Sequence, residues 1–427
     1  MYEEQTELDQ GEVGFCHSFL EAYPMVWYNG WFYDENGRIH DLSALRARIA
    51  RMLTGRVRKH VARRVDALLD LMAMLCRVDQ LPWSEARIHL ANGTYILGQG
   101  FTPQRDICTC RLPVAWNPEA PEPVRWKAFL EELLEEEDIL TLQEYLGYCL
   151  LPVTLGQKML LIVGQGGEGK SRIGVVVHAL FGDAAVNGSL AKIESSPFAR
   201  ADLEGRLVMV DDDLRMESLS GTSYIKSIIT AETNMDLERK NAQSHQGRLF
   251  ARFLAFGNGS LQAIHDRSQG FFRRQIILTT KDRPADRVDD PYLGRYLVAE
   301  AHGILLWALE GLNRLFERDF QFTISPRAQE NLRESAAQGN NIPEFMESEG
   351  YFRRDPGGMI TSRDFYRLYR YWCEDNQLEP LNSRIFSSYL CQNLKRYGLE
   401  RSNHVPMGMG RLVRGYRGAV VRGDYLM

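Results

Sequence analysis

The sequence predicts an α/β core built on a mainly parallel sheet, with a mostly helical region ahead of it and a small helix-and-strand unit behind it. Three observations carry this. A short apolar run, Leu160-Leu161-Ile162-Val163, feeds a glycine-rich turn that opens into an apolar helix, Ile173 to Leu180. Further apolar runs of strand length, Leu207–Val210, Phe253–Phe256 and Ile276–Leu278, alternate with helical stretches as far as about Thr280. That alternation is the pattern of parallel strands covered by helices. Beyond residue 342 the pattern changes to helices followed by glycine-punctuated strands with a basic bias.

Composition sets the bounds. The 427 residues are 44% hydrophobic and 25% charged, the balance of an ordinary globular protein with room for two or three domains. A net charge of −5 means that a polyanionic partner must be met by local patches. Seven cysteines without a CxxC pair argue against a disulfide framework and against structural zinc. Cys108 and Cys110 stand two apart in a strand-like stretch, a poor spacing for a metal. The N-terminus, MYEEQTELDQ, is acidic and polar, unlike a secretory leader, and no apolar run approaches bilayer-spanning length. A reduced cytoplasm with no membrane contact is expected.

Residues 1–150 read as the N-terminal region. An aromatic-rich stretch ends in a turn-like NGWFYDENG, and Leu42 to Leu75 reads as two amphipathic helices broken near Thr54-Gly55. These carry Arg46, Arg48, Arg51, Arg56, Arg58, Lys59, Arg63 and Arg64. A solvated face, a subunit contact and a nucleic-acid contact all fit that charge. Residues 81–120 read as short strands and turns. An acidic helix, Trp126 to Asp138, and a second helix, Leu140 to Leu150, lead into the core at 151–320.

Gly164-Gln165-Gly166-Gly167-Glu168-Gly169-Lys170-Ser171 has the spacing of a P-loop. Gly164, Gly166, Gly167, Glu168 and Gly169 form a turn whose backbone N–H groups converge on phosphate oxygens. Lys170 reaches the β/γ-phosphates, Ser171 holds Mg²⁺, and Arg172 follows at the helix start. A chance glycine-rich turn is the alternative, but the strand before and the apolar helix after support ATP with Mg²⁺. About 40 residues on, Leu207-Val208-Met209-Val210 ends in Asp211-Asp212. This is the form of a strand that offers one acid to the metal (Asp211) and one as base to the attacking water (Asp212). The order within Asp211–Asp213 could slip by one. Phe253–Phe256 ends in Gly257-Asn258, where the amide can orient the lytic water, although an Asn-Gly turn after a strand is common. Arg273-Arg274 precedes the next strand, as surface charge or as an arginine finger reaching a neighbouring subunit's site.

Residues 321–342 read as a polar linker with one helix, and 343–427 as a separate unit. Helical patterns at Asp364–Asp375 and Arg384–Tyr397 precede two strands, Arg411–Tyr416 and Gly418–Val421. From Leu381 onward eight Lys/Arg stand against two acids. This order resembles a winged helix and suits a phosphate backbone, with protein contact as the alternative.

Walker A, the Asp-Asp strand end, Asn258 and the arginine pair, taken together between Gly164 and Arg274, resemble the superfamily 3 helicases. The likeness is greatest to the phage and plasmid primase–helicase branch. Asn92-Gly93, Leu112-Pro113-Val114, Trp126, Phe129 and Gln143–Tyr148 resemble that branch's region ahead of the ATPase. Phe365, Tyr366, Tyr369, Trp372, Arg384 and Phe386 resemble its C-terminal winged helix. The resemblance implies an AAA+-like core in a hexameric ring with ATP sites between subunits, moving on single-stranded DNA and parting forked duplex. It implies a finger at Arg274, with Arg273 second. Met235 to Asn241 resembles the family's hairpin segment, implying DNA contact by Lys240 with Arg239 and Asn241 beside it. Ala231-Glu232-Thr233 departs from the family's Gly-Asp pair and leaves that register open. Residues 1–150 show no acidic polymerase motif, so a separate primase or polymerase is the expected partner, in a bacterial host's cytoplasm. An initiator that melts an origin without processive unwinding is the alternative, and a nucleotide-binding scaffold without DNA work is a third reading.

Overall fold

The structure of the protein, a computed structural model, describes all residues except 1, 55–58, 82–85, 215–218, 220, 241–242, 259–268, 285–286, 340, 379, 408–410 and 423–427. Gly55, Arg56, Arg58, Asn241 and Gly259 of the sequence reading lie outside the described residues. The chain forms two compact units, residues 1–333 and 334–427.

The first unit is centred on a five-stranded parallel sheet: β1 (Met159–Gly164), β2 (Ala185–Asn187), β3 (Val208–Leu214), β4 (Arg252–Asn258) and β5 (Gln275–Thr279). Their spatial order is β5-β1-β4-β3-β2. The apolar runs read as buried strands are therefore strands, because central parallel strands bury both faces and keep no polar side. One face carries Leu160, Ile162, Val208, Val210, Leu254 and Phe256 against the helix Ser171–Phe181. The other carries Met159, Leu161, Val163, Met209, Phe253 and Ala255 against the short helices Leu190–Ser195 and Ser223–Thr230.

The helices Val124–Leu133 and Glu136–Cys149 belong to the same hydrophobic core as the first sheet face, together with Ala301–Glu317. The break between the two falls at Leu134-Glu135 rather than after Asp138, because buried Leu134 takes an extended backbone and Glu135 precedes the next helix. Gly147 and Gly311 let Glu136–Cys149 and Ala301–Glu317 approach closely: a Cβ on Gly311 would meet the Gln143 backbone. Glu144, fully buried on the same contact, accepts from Arg314 Nε at 2.7 Å and from Thr323 N–H at 2.7 Å.

Ahead of these, the N-terminal region mixes helices (Tyr2–Ala22, Leu42–Leu53, Val61–Leu75) with two small antiparallel sheets. One sheet is Val26–Tyr28, Trp31–Asp34 and Gly37–Arg38; the other is Arg87–Leu90, Gly93–Ile96 and Gly100–Thr102. Among the described residues no helix is long and apolar enough to cross a membrane.

The second unit packs its helices Ile342–Glu347, Ser362–Asp375 and Ser383–Gln392 on a three-stranded antiparallel sheet around Phe345, Phe365, Tyr369 and Phe386. The strand Arg411–Val421 lies between Phe352–Thr361 and Glu400–Met407. It is one strand rather than two, turning at Gly418 (φ +100°) where the backbone passes the Gly398 carbonyl. The helical pattern over 384–397 is two helices, Ser383–Gln392 and Leu394–Tyr397.

Candidate functional site

All five strands of the large sheet end at one edge, and β4 inserted between β1 and β3 gathers three strand ends there. In open parallel sheets this edge is where ligands sit. The turn from β1 to the helix Ser171–Phe181 holds Gly166, Gly167 and Gly169 at φ +111°, +84° and +104°, backbone that side chains disfavour. A cavity of about 550 Å³ lies over it, lined by Gly166 to Arg172, Asp212, Phe256, Asn258, Arg287, Asp289, Asp290, Pro291 and Leu293. Its size suits a nucleotide-sized molecule.

Asn258 reaches this cavity because it ends β4 opposite Gly164, the end of β1. Lys170 is buried, and its Nζ donates to Glu168 Oε2 at 2.7 Å. The other Glu168 oxygen accepts from the Gly166 N–H at 2.7 Å. Burial pushes the Glu168 carboxyl up, but Lys170 and the N–H groups of Glu168 and Gly166 outweigh it and hold the group below the usual carboxylate range. Thus a backbone donor and the loop's cation are held by the chain's own carboxylate.

β3 continues beyond its apolar run and includes all three aspartates. Side chains alternate along a strand, so Asp212 follows Val208 and Val210 toward the helix Ser171–Phe181, and Asp211 follows Met209 to the opposite face. Asp212 lines the cavity, with Oδ1 close enough to Gly174 that a Cβ there would lie 3.3 Å away. Asp211 does not line it. It is 4% exposed, and its oxygens accept from the N–H groups of Leu190 (2.8 Å) and Asp213 (3.4 Å). Burial raises the carboxyl of Asp211 and, opposed by His178, that of Asp212. The sequence reading placed Asp211 at the metal; the alternation of β3 turns it away.

Arg273 and Arg274 lie at the far edge of the sheet, where β5 begins, and line no part of this cavity. The Met159 N–H, at the start of β1, donates to the Arg274 carbonyl at 2.8 Å. Arg274 donates to the Gly270 carbonyl, and Lys158 to the Arg273 carbonyl. Burial and Arg273 lower the Arg274 pKa, with Glu232 opposing.

Two cations at the loop escaped the sequence reading. Arg287 Nη1 donates to the Glu168 carbonyl at 2.8 Å and Arg283 Nη1 to the Gly167 carbonyl at 3.2 Å. Their only signal in the sequence is a charged stretch after the last buried strand.

The predicted hairpin segment forms one: Met235–Leu237 pairs with His245–Gly247. Lys240 is exposed in the connection. Arg239, read beside it as a DNA contact, instead donates to Glu204 at 2.9 Å and to the Ala201 carbonyl at 2.8 Å. In the second unit Arg384, Lys395, Arg396, Arg401, Arg414 and Arg417 are exposed.

Fold and site together define an α/β protein whose glycine-rich turn, Asp212 and Asn258 face a cavity at the sheet's C-terminal edge. Over residues 162–274 the chain matches a family of unknown function, DUF5906. Two solved structures of the C-terminal region (305–718) of NrS-1, both without ligand, are similar in fold. Each covers 95% of this chain and 97% of its own at 12% identity, with TM-scores of 0.52 and 0.53.

Proposed function

We propose that this chain binds and hydrolyses ATP with Mg²⁺ and spends the energy moving on DNA, as a superfamily 3 helicase replicating a phage, plasmid or genomic island in the cytoplasm of a bacterial host. The observation that carries this is the sheet order β5-β1-β4-β3-β2, which gathers Lys170, Asp212 and Asn258 around one cavity. Lys170 and the loop N–H groups take phosphate oxygens. Asn258 orients the attacking water. Asp212, rather than Asp211, is the carboxylate of the reaction. Among the described residues no three His, Cys, Asp or Glu converge as a metal site. That suits Mg²⁺, which is commonly held by one or two protein oxygens and the phosphates. Ser171 and Asp212 would supply those oxygens, and a Mg²⁺ ion bound there would offset charge developing on the phosphate.

Arg274 and Arg273 stand a strand's length from their own cavity, the placement a finger needs if it serves a neighbouring copy. This supports a homo-hexameric ring with sites between subunits. Lys240 at the hairpin tip provides a sequence-blind phosphate contact for single-stranded DNA. In the second unit the order helix, strand, three helices, strand, strand and the exposed arginines support a winged helix on duplex DNA. A separate primase or polymerase is the proposed partner.

ATP-dependent strand release from a forked duplex tests the reading. If ATP turns over and the protein assembles on duplex without release, the initiator reading, which the second unit also suits, replaces it. If Lys170→Ala leaves hydrolysis intact, both fall.

A further inference from the structure

At the base of the hairpin one carboxylate meets both arms. Glu204 lies between the helix Pro197–Ala201 and β3, with its side chain 12% exposed. Its Oε2 meets Arg239 Nη2 at 2.9 Å and Arg38 Nη1 at 3.5 Å, and its Oε1 meets His245 Nε2 at 2.7 Å. Arg239 follows the first hairpin strand and His245 opens the second, so exposed Lys240 stands in the chain between two anchors on the same acid. Gly247 leaves room for this: a Cβ there would stand 3.3 Å from Glu204 Oε1. The third partner, Arg38, comes from the small N-terminal sheet. Its guanidinium covers the Trp31 ring at 3.5 Å from the centroid, and Arg239 approaches the same ring at 5.6 Å.

Two guanidiniums and an imidazole thus share one carboxylate, and both Arg38 Nε and Arg239 Nε are buried without a hydrogen-bond partner. Charge of one sign crowds this junction, and Glu204 is what compensates it. Removing its charge leaves two guanidiniums repelling one another beside Trp31. Glu204 also stands just before β3, whose other end presents Asp212 to the cavity. The hairpin base, the N-terminal sheet and the strand that reaches the nucleotide edge therefore meet at this residue.

We propose that Glu204 is a positioning residue: it staples both arms of the hairpin to the N-terminal sheet and so holds Lys240 where it can grip a DNA strand. The DNA part of this rests on the function proposed above; the staple itself does not. Glu204 touches no part of the nucleotide cavity, so its loss spares basal ATP hydrolysis.

The test uses the full chain with Glu204→Gln, Arg38→Gln, Lys240→Ala and wild type side by side. Trypsin cleavage after Arg239 and Lys240, without DNA, reads the staple. Glu204→Gln should speed it at least tenfold, and Arg38→Gln, which leaves Glu204 with two partners, by less. Half-saturating oligothymidylate for ATPase stimulation reads the function. It should rise at least tenfold in Glu204→Gln, with the rate in the absence of DNA unchanged. Unchanged cleavage in both Glu204→Gln and Arg38→Gln overturns the staple. Faster cleavage with an unchanged DNA requirement, while Lys240→Ala raises that requirement, overturns the positioning role alone. If Lys240→Ala is itself silent, the DNA reading has failed, whatever the cleavage shows. Should Glu204→Gln not fold, Arg38→Gln carries the same two readouts.

Discussion

Replacing Glu168 by glutamine should tighten nucleotide binding while weakening the nucleotide-free chain. Both effects come from the same pair of bonds. In the structure the Glu168 carboxylate takes the Lys170 ammonium at 2.7 Å and the Gly166 N–H at 2.7 Å. Glu168 and Lys170 are only 3% and 6% exposed, so water does little to screen the pair. A phosphate seated on the loop needs those same donors, and must displace a charge-assisted interaction of roughly 2 kcal/mol to take them. Glutamine keeps the size and one acceptor but gives up the charge, which removes most of that competition and the repulsion between carboxylate and polyphosphate. About 2 kcal/mol corresponds to a Kd about 30-fold lower. Calorimetric titration with a non-hydrolysable ATP analogue reads it directly. The nucleotide-free variant should meanwhile unfold at a lower temperature, since Lys170 is left buried without its partner. Because the folded carboxyl sits below the unfolded one, its stabilisation is fully present above the unfolded value of 4.5 and fades as pH falls through the folded one. The contrast with glutamine should therefore be flat across neutral pH. Equal or weaker binding by Glu168→Gln would refute the competition: the carboxylate would then be assisting the ligand rather than standing in for it.

Further outcomes follow from the geometry. Asp212→Asn should lower the hydrolysis rate by at least ~100-fold with nucleotide binding retained. Asp211→Asn should chiefly lower the melting temperature, and a reversed pattern in steady-state kinetics would return the reactive role to Asp211. Mixing Arg274→Ala with Asp212→Asn subunits should restore part of the lost ATPase, and no restoration at any ratio argues against a finger acting between copies. Arg252 is 2% exposed and donates to the carbonyls of Cys149 (2.8 Å), Val153 (3.1 Å), Leu151 and Phe250. Arg252→Met should cost roughly 3 kcal/mol or more in urea unfolding, because those acceptors lose their donor. A loss under about 1 kcal/mol in that measurement means water replaces it. Burial, aided by Arg111 and opposed by Asp106, pushes His89 down to about 4. Its depressed folded pKa means that stability is complete above the unfolded value of 6.5 and declines as pH falls toward 4, by up to about 3 kcal/mol. His89→Gln should flatten that slope.

How much of this was legible depends on what kind of physical constraint each feature obeys. Strands buried on both faces need uninterrupted apolar residues, so β1, β3, β4 and β5 could be read as runs; β2, three residues long at the sheet edge, carries no such demand. The glycine turn was legible for a similar local reason, since its backbone excludes most side chains. The aspartates show where local reading stops. Three identical residues in a row hold no information about which face each takes; that is set by how far the strand continues. β3 continues past Val210 because the buried Asp211 finds backbone N–H partners that stand in for apolar packing. Arg239 and Lys240 make the same point for charge. Adjacent and alike in the sequence, they carry one expectation. Yet Arg239 is committed to Glu204 and Lys240 is exposed, and the decision rests on an acid 35 residues upstream and a sheet at the other end of the unit. Arg283 and Arg287 were missed for the same reason, because a guanidinium donating to a loop carbonyl leaves no pattern around itself. Elements that bury surface repeat along the chain and announce themselves. The groups that decide chemistry do so through single long-range pairings, and the anchoring of the hairpin is such a case, depending on a glutamate that nothing nearby in the chain distinguishes.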